Sequence, residues 1–545
     1  MIKLKRSITL KHIQNIALVF FMMTVILILS SCKEDDGSGY IYKMNLQNNP
    51  KNLDAQMAED KESVMIITNM MEGLMKVQAS GAVVPAAAER FEMSEDGLTY
   101  TFYLKKNQQW DTLADFTAEV TADDFVFAFQ RIFDKATNSP YSKDYLCIKN
   151  ASAVLNGAMG VNSLGVKAKD KYTVEFTLEY PYYDFLALLT KSAAMPCNRE
   201  FFEFTKGKYG MAAEATASNG AFYLKEWNYD PYWDNNYIIM RRNKAFSETQ
   251  YVYPYSLNFF IKGDNDDSLS FSEGDVDCYV ADEYDNKIFE NNNYTSYQTK
   301  TVGLIFNLND ENLSSYEIRE ALAKSINREA YAHELSENLY TAYGIIPGNV
   351  SIQGKSYRDL SPDKLLSLYD VNAVSLWENA LKKTGKSSVD NLKITVSDSF
   401  SENELIYNIS DQWRENLLLY STVELVSEIE YETKLEEQSF SIALVELNAK
   451  DNSVFEFFDY FTEGEFSEVY RSTSLNNDIR NAYTSESLSE AADKYTNAEK
   501  TILSKYVFVP LFYKNEYFVT DKSSSDTIYY PFSSTVSFAE AKYFD

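Results

Sequence analysis

The chain has 545 residues, of which 80 are Asp or Glu and 51 are Lys or Arg, so its formal charge at pH 7 is −29. So acidic a surface argues against nucleic-acid binding and against a polybasic attachment to anionic lipid, although excess carboxylate often serves only solubility. The length exceeds what one hydrophobic core normally serves and therefore predicts two or more lobes.

The N-terminus has the pattern of an export signal that ends at a cysteine. Residues 1–15 carry four basic side chains and no acidic one, and an apolar run follows from Ile16 to Leu29. The run is too short for a convincing permanent membrane span. It ends in "LSSC", which resembles the lipobox of bacterial lipoproteins, where the signal is cleaved before the cysteine and the thiol carries a lipid such as palmitate. We therefore expect a signal peptide over residues 1–31 and a lipid anchor at Cys32. The alternative is an uncleaved anchor with a chance cysteine.

Strand and helix patterns alternate after Cys32. "YIYKMNL" alternates as a strand should and runs into the turn "QNNPKNLD", and Lys61 to Met75 have the apolar spacing of a helix. "LTYTFYL" predicts a strand after the turn at Asp96-Gly97, and "VTADDFVFAFQRIF" predicts a helix with Thr121 as its N-cap. "TVGLIFNLN" predicts an apolar strand, and "AVSLWENALKKTGK" and "LSEAADKYTNAEKTILSKY" predict later helices. This interleaving predicts an α/β protein of several lobes.

Cysteine and histidine are too few for most enzymatic or metal sites. Cys147, Cys197 and Cys278 are widely spaced and contain no CxxC pair, so we expect three small buried side chains rather than disulfides or a zinc site. His12 leaves with the predicted signal, and His333 is then the only histidine. A nucleophile served by histidine would need that one residue as its base. We therefore expect no catalytic residues, no metal and no cofactor.

About a dozen segments, taken in order, resemble one family over nearly the whole chain after Cys32. They include "NNPKNLD" (Asn48 to Asp54), "MEGLM" (Met71 to Met75), "VVPAAAERFEMSEDGLTYTFYL" (Val83 to Leu104), "VTADDFVFAFQRI" (Val120 to Ile132), "NSPYS" (Asn138 to Ser142), "SNGAFYLKEW" (Ser218 to Trp227), "SEGDVD" (Ser272 to Asp277), "IREALAKSINREAY" (Ile318 to Tyr331) and "AEKTILSKYVFVPLFY". The family is the extracellular solute-binding proteins of family 5, the peptide- and oligopeptide-binding lipoproteins of ABC importers.

The resemblance implies an α/β fold of the periplasmic-binding-protein type. Two lobes with mixed sheets, in the type II arrangement of the cluster with an extra subdomain, are joined by hinge strands and enclose the ligand as they close. The implied divisions are a signal peptide at 1–31, a lipidated tether at 32–39, the first lobe at 40–75, 205–298 and 508–545, its extra subdomain at 76–204, and the second lobe at 299–507.

The resemblance also implies a function. The chain would be the membrane-anchored, extracytoplasmic substrate-binding component of a bacterial ABC importer, without enzymatic activity. Its partners would be an oligopeptide or a similar solute and the permease subunits, and we expect a monomer. The alternative is a peptide-signal sensor or surface binding lipoprotein that uses the same fold without an importer.

The residues implied as ligand contacts come from three segments. Asn48 and Asn49 would flank the ligand on one side and the segment from Leu447 to Lys450, which includes Asn448, on the other. Tyr141 would face the ligand from the extra subdomain. The alternative for Asn48 and Asn49 is that they are ordinary turn residues.

One departure from the family concerns the ligand's amino terminus. In the peptide binders, a Trp-x-Ala-Asp-Tyr core places an aspartate against the ammonium group of the peptide. The best register here puts Leu447 at the tryptophan and Lys450 at the aspartate. An attractive pair would thereby become a like-charge contact. Either Asp451 takes over from the next position, or the ligand is not a free peptide N-terminus.

Overall fold

The computed structural model describes residues 39–544, except for positions 115, 183, 233–234, 264–265, 330–337, 353, 363, 368, 371, 401–402, 450 and 486. The predicted signal, its Cys32, His333 and Lys450 therefore lie outside the described residues. Residues 41–545 form one contact unit, which contains all the sheets of the described residues. None of the helices in the described ranges combines the length and hydropathy of a membrane-crossing segment.

A four-stranded mixed sheet forms the base of the first lobe. Its strands, in spatial order, are Ile41–Leu46, Ser256–Ile261, Tyr237–Arg242 and Phe222–Asn228, of which the first two are parallel and the rest antiparallel. Tyr42 and Met44 point into the core while Ile41 is exposed, which is the alternation predicted for "YIYKMNL". The prediction of this strand is confirmed.

The first helix of the lobe, Lys61–Met70, is shorter than predicted. It begins after Asp60, whose side chain accepts a hydrogen bond from the Ser63 amide at 2.9 Å. It ends because Met71 is extended and because the Glu72 amide donates to Asn219 Oδ1 at 3.0 Å rather than to a helical carbonyl. The prediction of a helix as far as Met75 was therefore wrong. The helix stops earlier because Asn219, which is distant in sequence, binds the backbone amide of Glu72.

A second four-stranded sheet, wholly antiparallel, follows in the chain. Its strands in spatial order are Ala88–Met93, Thr99–Leu104, Thr173–Thr177 and Val166–Asp170. The helix Ala122–Phe133 packs on it and begins at Thr121, as predicted, with the Thr121 amide donating to Asp124 Oδ2 at 2.7 Å. All of these elements lie within residues 76–204, although the boundaries of that subdomain stay a prediction.

The largest sheet has seven strands and joins the two lobes. Six of them follow the spatial order Cys278–Ala281, Phe508–Thr520, Asn293–Phe306, Ile442–Leu447, Lys393–Ser397 and Thr422–Val426, and Leu339–Thr341 pairs with Phe508–Thr520 off this path. The two longest strands run antiparallel from Asn293 opposite Thr520 to Ile305 opposite Phe508. One end of this pair joins Cys278–Ala281, and the other carries the strands of the second lobe. Two adjacent strands therefore connect the lobes.

Helices cover both faces of this sheet in the second lobe. The longer ones are Tyr316–Lys324, Ala373–Thr384, Asn403–Leu417, Glu428–Glu436, Val454–Thr462, Thr473–Tyr483 and Leu488–Ser504. Successive strand residues point to opposite faces, so Leu304 lies in one buried apolar cluster and Ile305 in another. The predicted mixture of helices and strands is confirmed.

Short elements complete the chain. The two-stranded sheets are Met75–Val77 with Val83–Pro85, Ser351–Ile352 with Lys355–Ser356, Ser524–Ser525 with Lys542–Tyr543, and Ile528–Tyr530 with Thr535–Ser537, and a small three-stranded sheet joins Ala217–Ser218, Gln109–Thr112 and Ala118–Glu119. The short helices are Ala151–Leu155, Phe185–Leu188, Arg199–Phe204, Asp267–Ser272, Asn286–Phe289 and Tyr357–Leu360, with 3-10 turns at Val161–Ser163, Ser192–Ala194, Ala213–Ala215, Thr249–Tyr251 and Pro531–Ser533. The three cysteines are buried, as predicted.

The C-terminal segment returns to the first lobe. The Tyr42 hydroxyl hydrogen-bonds Ser524 Oγ at 2.8 Å, and Asn69 Nδ2 donates to the Val536 carbonyl at 2.7 Å. The ring of Tyr42 also lies 5.1 Å from that of Phe538. The first and last stretches of this contact unit therefore share one core.

Candidate functional site

A cavity of about 1070 Å³ lies between the two lobes. The first-lobe side of its wall includes the segment from Met71 to Val77 and residues of the Lys143 to Met195 region. The second-lobe side includes Ser351, Gly354 and the stretch from Asp451 to Glu463. Both lobes thus contribute to the wall of one cavity.

The described lining of the cavity is predominantly acidic. Its carboxylates belong to Glu72, Asp144, Asp184, Glu248, Asp451, Glu456, Asp459, Glu463 and Glu540, and its lysines are Lys76, Lys143 and Lys191. Burial raises the pKa of Glu72 to about 7, so it is left out of the charge balance here. The other eight carboxylates against three ammonium groups produce a negative potential, which favours neutral or cationic groups over anionic ones. Aromatic surface for apolar contact comes from Tyr180, Tyr182, Phe246, Tyr251, Phe455, Tyr530 and Phe532.

Lys191 bridges the lobes at the cavity wall. Its Nζ lies 2.5 Å from Asp451 Oδ2 in the second lobe and 3.5 Å from Asp144 Oδ2 in the first. Burial alone would lower the pKa of Lys191, but Asp451 and Asp144 outweigh it and raise that pKa above its usual value. The lysine therefore carries its charge between two carboxylates.

The backbone around Lys191 is held firmly by the first lobe. Gln56 Nε2 donates to the carbonyls of Ala193 and Met195, at 3.1 Å and 2.9 Å. Gln56 Oε1 in turn accepts from Arg131 Nη1 at 2.7 Å, and all of these atoms are buried. The backbone that carries the Lys191 side chain is therefore fixed in position by these hydrogen bonds.

Glu72 is a buried carboxyl on the wall of the cavity. Gln108 Nε2 donates to Glu72 Oε2 at 3.2 Å, and Asn219 Nδ2 donates to the Glu72 carbonyl at 2.9 Å. Burial raises the pKa of Glu72 to about 7, against the opposing effect of Lys105 and Lys76. Glu72 therefore changes its protonation near neutral pH.

The lobes also meet at two glycines. Gly81 lies in the turn after the strand Met75–Val77, and Gly354 lies in the turn before Lys355–Ser356. A Cβ built on Gly354 would overlap the carbonyl oxygen of Gly81, and the backbone of Gly354 has φ +74°. Only glycine permits this close approach of the two turns.

The structure places the predicted contacts Asn48 and Asn49 in a turn of the first lobe, away from the cavity lining. Asn48 Nδ2 donates to Glu62 Oε1 at 3.2 Å, and Trp227 Nε1 donates to Asn49 Oδ1 at 2.8 Å. Both side chains therefore have protein partners, which lie 14 and 178 positions away in the sequence. A ligand contact by either residue stays a prediction.

The other predicted residues are also spread out. Leu447 is fully buried at the end of its strand, Asn448 Oδ1 accepts from the Tyr460 hydroxyl at 3.1 Å, and the Tyr141 hydroxyl donates to the carbonyl of Ala58. None of these three predicted contacts lines the cavity, and their roles stay predictions. Asp451 does line it.

Lys191 was missed by the sequence reasoning. The signal that could have revealed it is a single lysine within "LALLTKSAAMP", a stretch otherwise made of apolar and small residues. A charge in such a stretch needs a partner, because an isolated buried ammonium group is costly. The identity of that partner is visible only in the structure.

Known proteins are similar to this chain in sequence and in fold. The model of the bacterial extracellular solute-binding proteins, family 5 (Middle), matches residues 82–467. The dipeptide-binding protein DppE of Bacillus subtilis is 27% identical over 65% of this chain and 64% of its own length. The probable deoxycholate-binding periplasmic protein YgiS of Escherichia coli is 34% identical over 39% of this chain and 38% of its own length. The chain therefore spans less than two thirds of either relative.

Among solved structures, the unliganded open form of the murein tripeptide binding protein MppA of Escherichia coli matches with a TM-score of 0.72. The match is 20% identical and covers 93% of this chain and 98% of that protein. At this identity the likeness concerns the fold. The predicted two-lobe fold of the periplasmic-binding-protein type is confirmed.

Proposed function

The chain belongs to family 5 of the bacterial extracellular solute-binding proteins, and we propose that it captures oligopeptides or a similar solute for an ABC importer. The observation that carries this proposal is the cavity of about 1070 Å³ between the lobes. Its volume is at the upper end of the roughly 300–1,000 Å³ that is typical of sites for small ligands, which suits an extended solute larger than a single amino acid. The proposal includes no chemical step.

Transport would use the connection between the lobes. The long strands Asn293–Phe306 and Phe508–Thr520 would act as the hinge about which the second lobe rotates relative to the first. Closure brings Asp451 to Lys191 and Gly354 to Gly81, so the closed form differs from an open one in surface as well as in shape. A permease can distinguish the two states by such differences.

The peptide proposal is favoured over a bile-acid ligand by charge. One relative is named as a dipeptide-binding protein and the other as a probable deoxycholate-binding protein. Deoxycholate is an anion at neutral pH, whereas eight carboxylates besides Glu72 and three lysines line this cavity. A peptide can offer neutral amides and cationic side chains to the same lining.

We also propose that the receptor works outside the cytoplasm and is attached to the membrane through Cys32, with residues 33–39 as a tether. Support comes from the sequence pattern around that cysteine. Attachment would keep the receptor at a high effective concentration near the permease subunits. The domain divisions of the sequence analysis, and action as a monomer, are part of the same proposal.

The function is tested by identifying what the protein binds. Mass spectrometry of solutes that copurify with the protein should detect peptides, and calorimetry should measure their binding, while deoxycholate should bind weakly or not at all. Copurification of a non-peptide solute that binds tightly, together with no binding of any peptide mixture, would overturn the proposal.

A matched pair of variants ties the binding to the cavity. Ala187 lines the cavity from the helix Phe185–Leu188, so Ala187→Phe should fill part of it and weaken binding at least about tenfold. Ala153 is equally half-buried in the short helix Ala151–Leu155 but is not part of the lining. Ala153→Phe should leave affinity unchanged.

A further inference from the structure

An ammonium group of the protein itself occupies the position opposite Asp451. The Lys191 and Asp451 side chains are 27% and 25% exposed, so the pair faces the cavity and is only partly screened by water. Asp451 follows the strand Ile442–Leu447 of the second lobe, whereas Lys191 precedes the helix Ser192–Ala194 in the first. The pair therefore forms only while the lobes are together.

This arrangement changes what a ligand must do to reach Asp451. A free amino terminus could pair with that carboxylate only by displacing Lys191, which would then retain Asp144 at 3.5 Å as its partner. The displacement replaces the Lys191–Asp451 ion pair with an ion pair between the ligand and Asp451. It also removes a contact between the two lobes. A ligand without an amino terminus leaves the bridge intact and is enclosed behind it.

We propose that Lys191 is an internal substitute for the amino terminus of a ligand, so that the cavity selects peptide-like solutes whose α-amino group is absent or blocked. The inference rests on the proposed function, because it names the class of peptide that the same cavity takes.

The net charge of the cavity and the Lys191–Asp451 bridge predict opposite preferences between a free and an acetylated amino terminus. A surplus of carboxylates attracts cations in general, so charge alone predicts that a peptide with a free amino terminus binds better than its acetylated counterpart. The bridge predicts the opposite order. Cationic side chains elsewhere on the ligand can still use the remaining carboxylates.

The test compares two peptides by calorimetry. A lysine-containing tripeptide amide is used with a free and with an acetylated amino terminus. The wild-type protein should bind the acetylated form at least about tenfold more tightly. Lys191→Met leaves Asp451 without its ammonium partner, so the free form should gain at least about tenfold and the order should reverse. Equal affinities in the wild type, with a ratio that Lys191→Met does not change, would overturn the inference.

Lys143 provides the matched control. It lines the same cavity, and no described carboxylate lies within ion-pair distance of its Nζ. Lys143→Met changes the charge of the cavity by the same amount as Lys191→Met, so it should shift both peptides alike and keep their ratio. A ratio that moves equally in the two variants would show that general charge, not the bridge, sets the preference, and would also overturn the inference.

A measurement without ligand separates failure of this inference from failure of the proposed function. If Lys191 holds Asp451 across the cleft, Lys191→Met and Asp451→Asn should each expand the ligand-free protein in small-angle X-ray scattering, and the double variant should expand it no further. Scattering curves identical to the wild type would overturn the inference even if peptides bind. Expansion in a protein that binds neither peptide would refute the peptide function while supporting the bridge.

Discussion

The sharpest prediction concerns Glu72, a cavity-lining residue that is only 8% exposed. Burial raises its pKa from the usual 4.5 to about 7 in the folded protein. The folded protein therefore holds the proton more tightly than the unfolded chain does. Its contribution to stability is fully present below about pH 4.5 and is lost as the pH rises towards 7 and above.

The size of the effect follows from these two values. The difference between 4.5 and about 7 is worth about 3 kcal/mol, at about 1.36 kcal/mol for each tenfold change in proton affinity. About 2 kcal/mol of this loss falls between roughly pH 5.5 and pH 8. Glu72→Gln keeps the shape and can keep the contact with Gln108, but it does not ionise. The variant should therefore gain about 2 kcal/mol on the wild type over that interval.

Urea unfolding followed by tryptophan fluorescence at the two pH values measures this difference. Other buried carboxyls, such as Glu516 with a pKa raised by burial to about 7, contribute equally to both proteins and cancel. Glu95 is exposed, so Glu95→Gln should follow the wild type. If Glu72→Gln and the wild type lose stability in parallel between the two pH values, the pKa of Glu72 is not raised in the folded protein, and the prediction is wrong.

Two further substitutions test the closure and the second lobe. Gly354→Ala should prevent the close approach to Gly81, cost about 1–3 kcal/mol of closure and weaken ligand binding about tenfold in calorimetry. Gly385→Ala has a similar φ of +71° but open space around it, so it should cost stability without this loss of affinity. Arg358→Leu removes the cation that donates to Glu499 Oε1 at 2.7 Å and Oε2 at 3.0 Å, and should cost about 3–5 kcal/mol in urea unfolding because the carboxylate is fully buried. Adding Glu499→Gln removes the unpaired charge and keeps an oxygen acceptor for the amides of Ile345 and Ile346, so it should recover most of that loss, and no recovery would contradict the explanation.

Elements with a strong local pattern could be predicted from the sequence. The strand from "TVGLIFNLN" is found, but it starts earlier, at Asn293. The first part of that strand, "NYTSYQ", is polar and mostly exposed, so hydrophobicity did not mark it. Its strand geometry comes from pairing with Phe508–Thr520, a partner about two hundred residues later in the chain. Pairing at that separation leaves no local signal.

The site was predictable only in part for the same reason. The register of the family pattern indicated Asp451 as a candidate partner for the ligand, and Asp451 lines the cavity. Lys191 lies 260 residues earlier and belongs to no segment used for that register, so its pairing with Asp451 could not be inferred. Asn48 and Asn49 have turn chemistry that the sequence does show, whereas their hydrogen bonds with Glu62 and Trp227 join segments whose proximity the sequence does not reveal.

The return of the C-terminus to the first lobe has a consequence for how the chain matures. Tyr42 and Ser524, and Asn69 and Val536, are neighbours separated by more than 460 residues of sequence. During synthesis from the N-terminus, Tyr42 and Asn69 therefore cannot make these contacts until almost the whole chain has emerged. Contacts of such long range slow folding. The core around Tyr42 is therefore among the last parts of the fold to be completed, although Tyr42 itself is among the first of its residues to be synthesised.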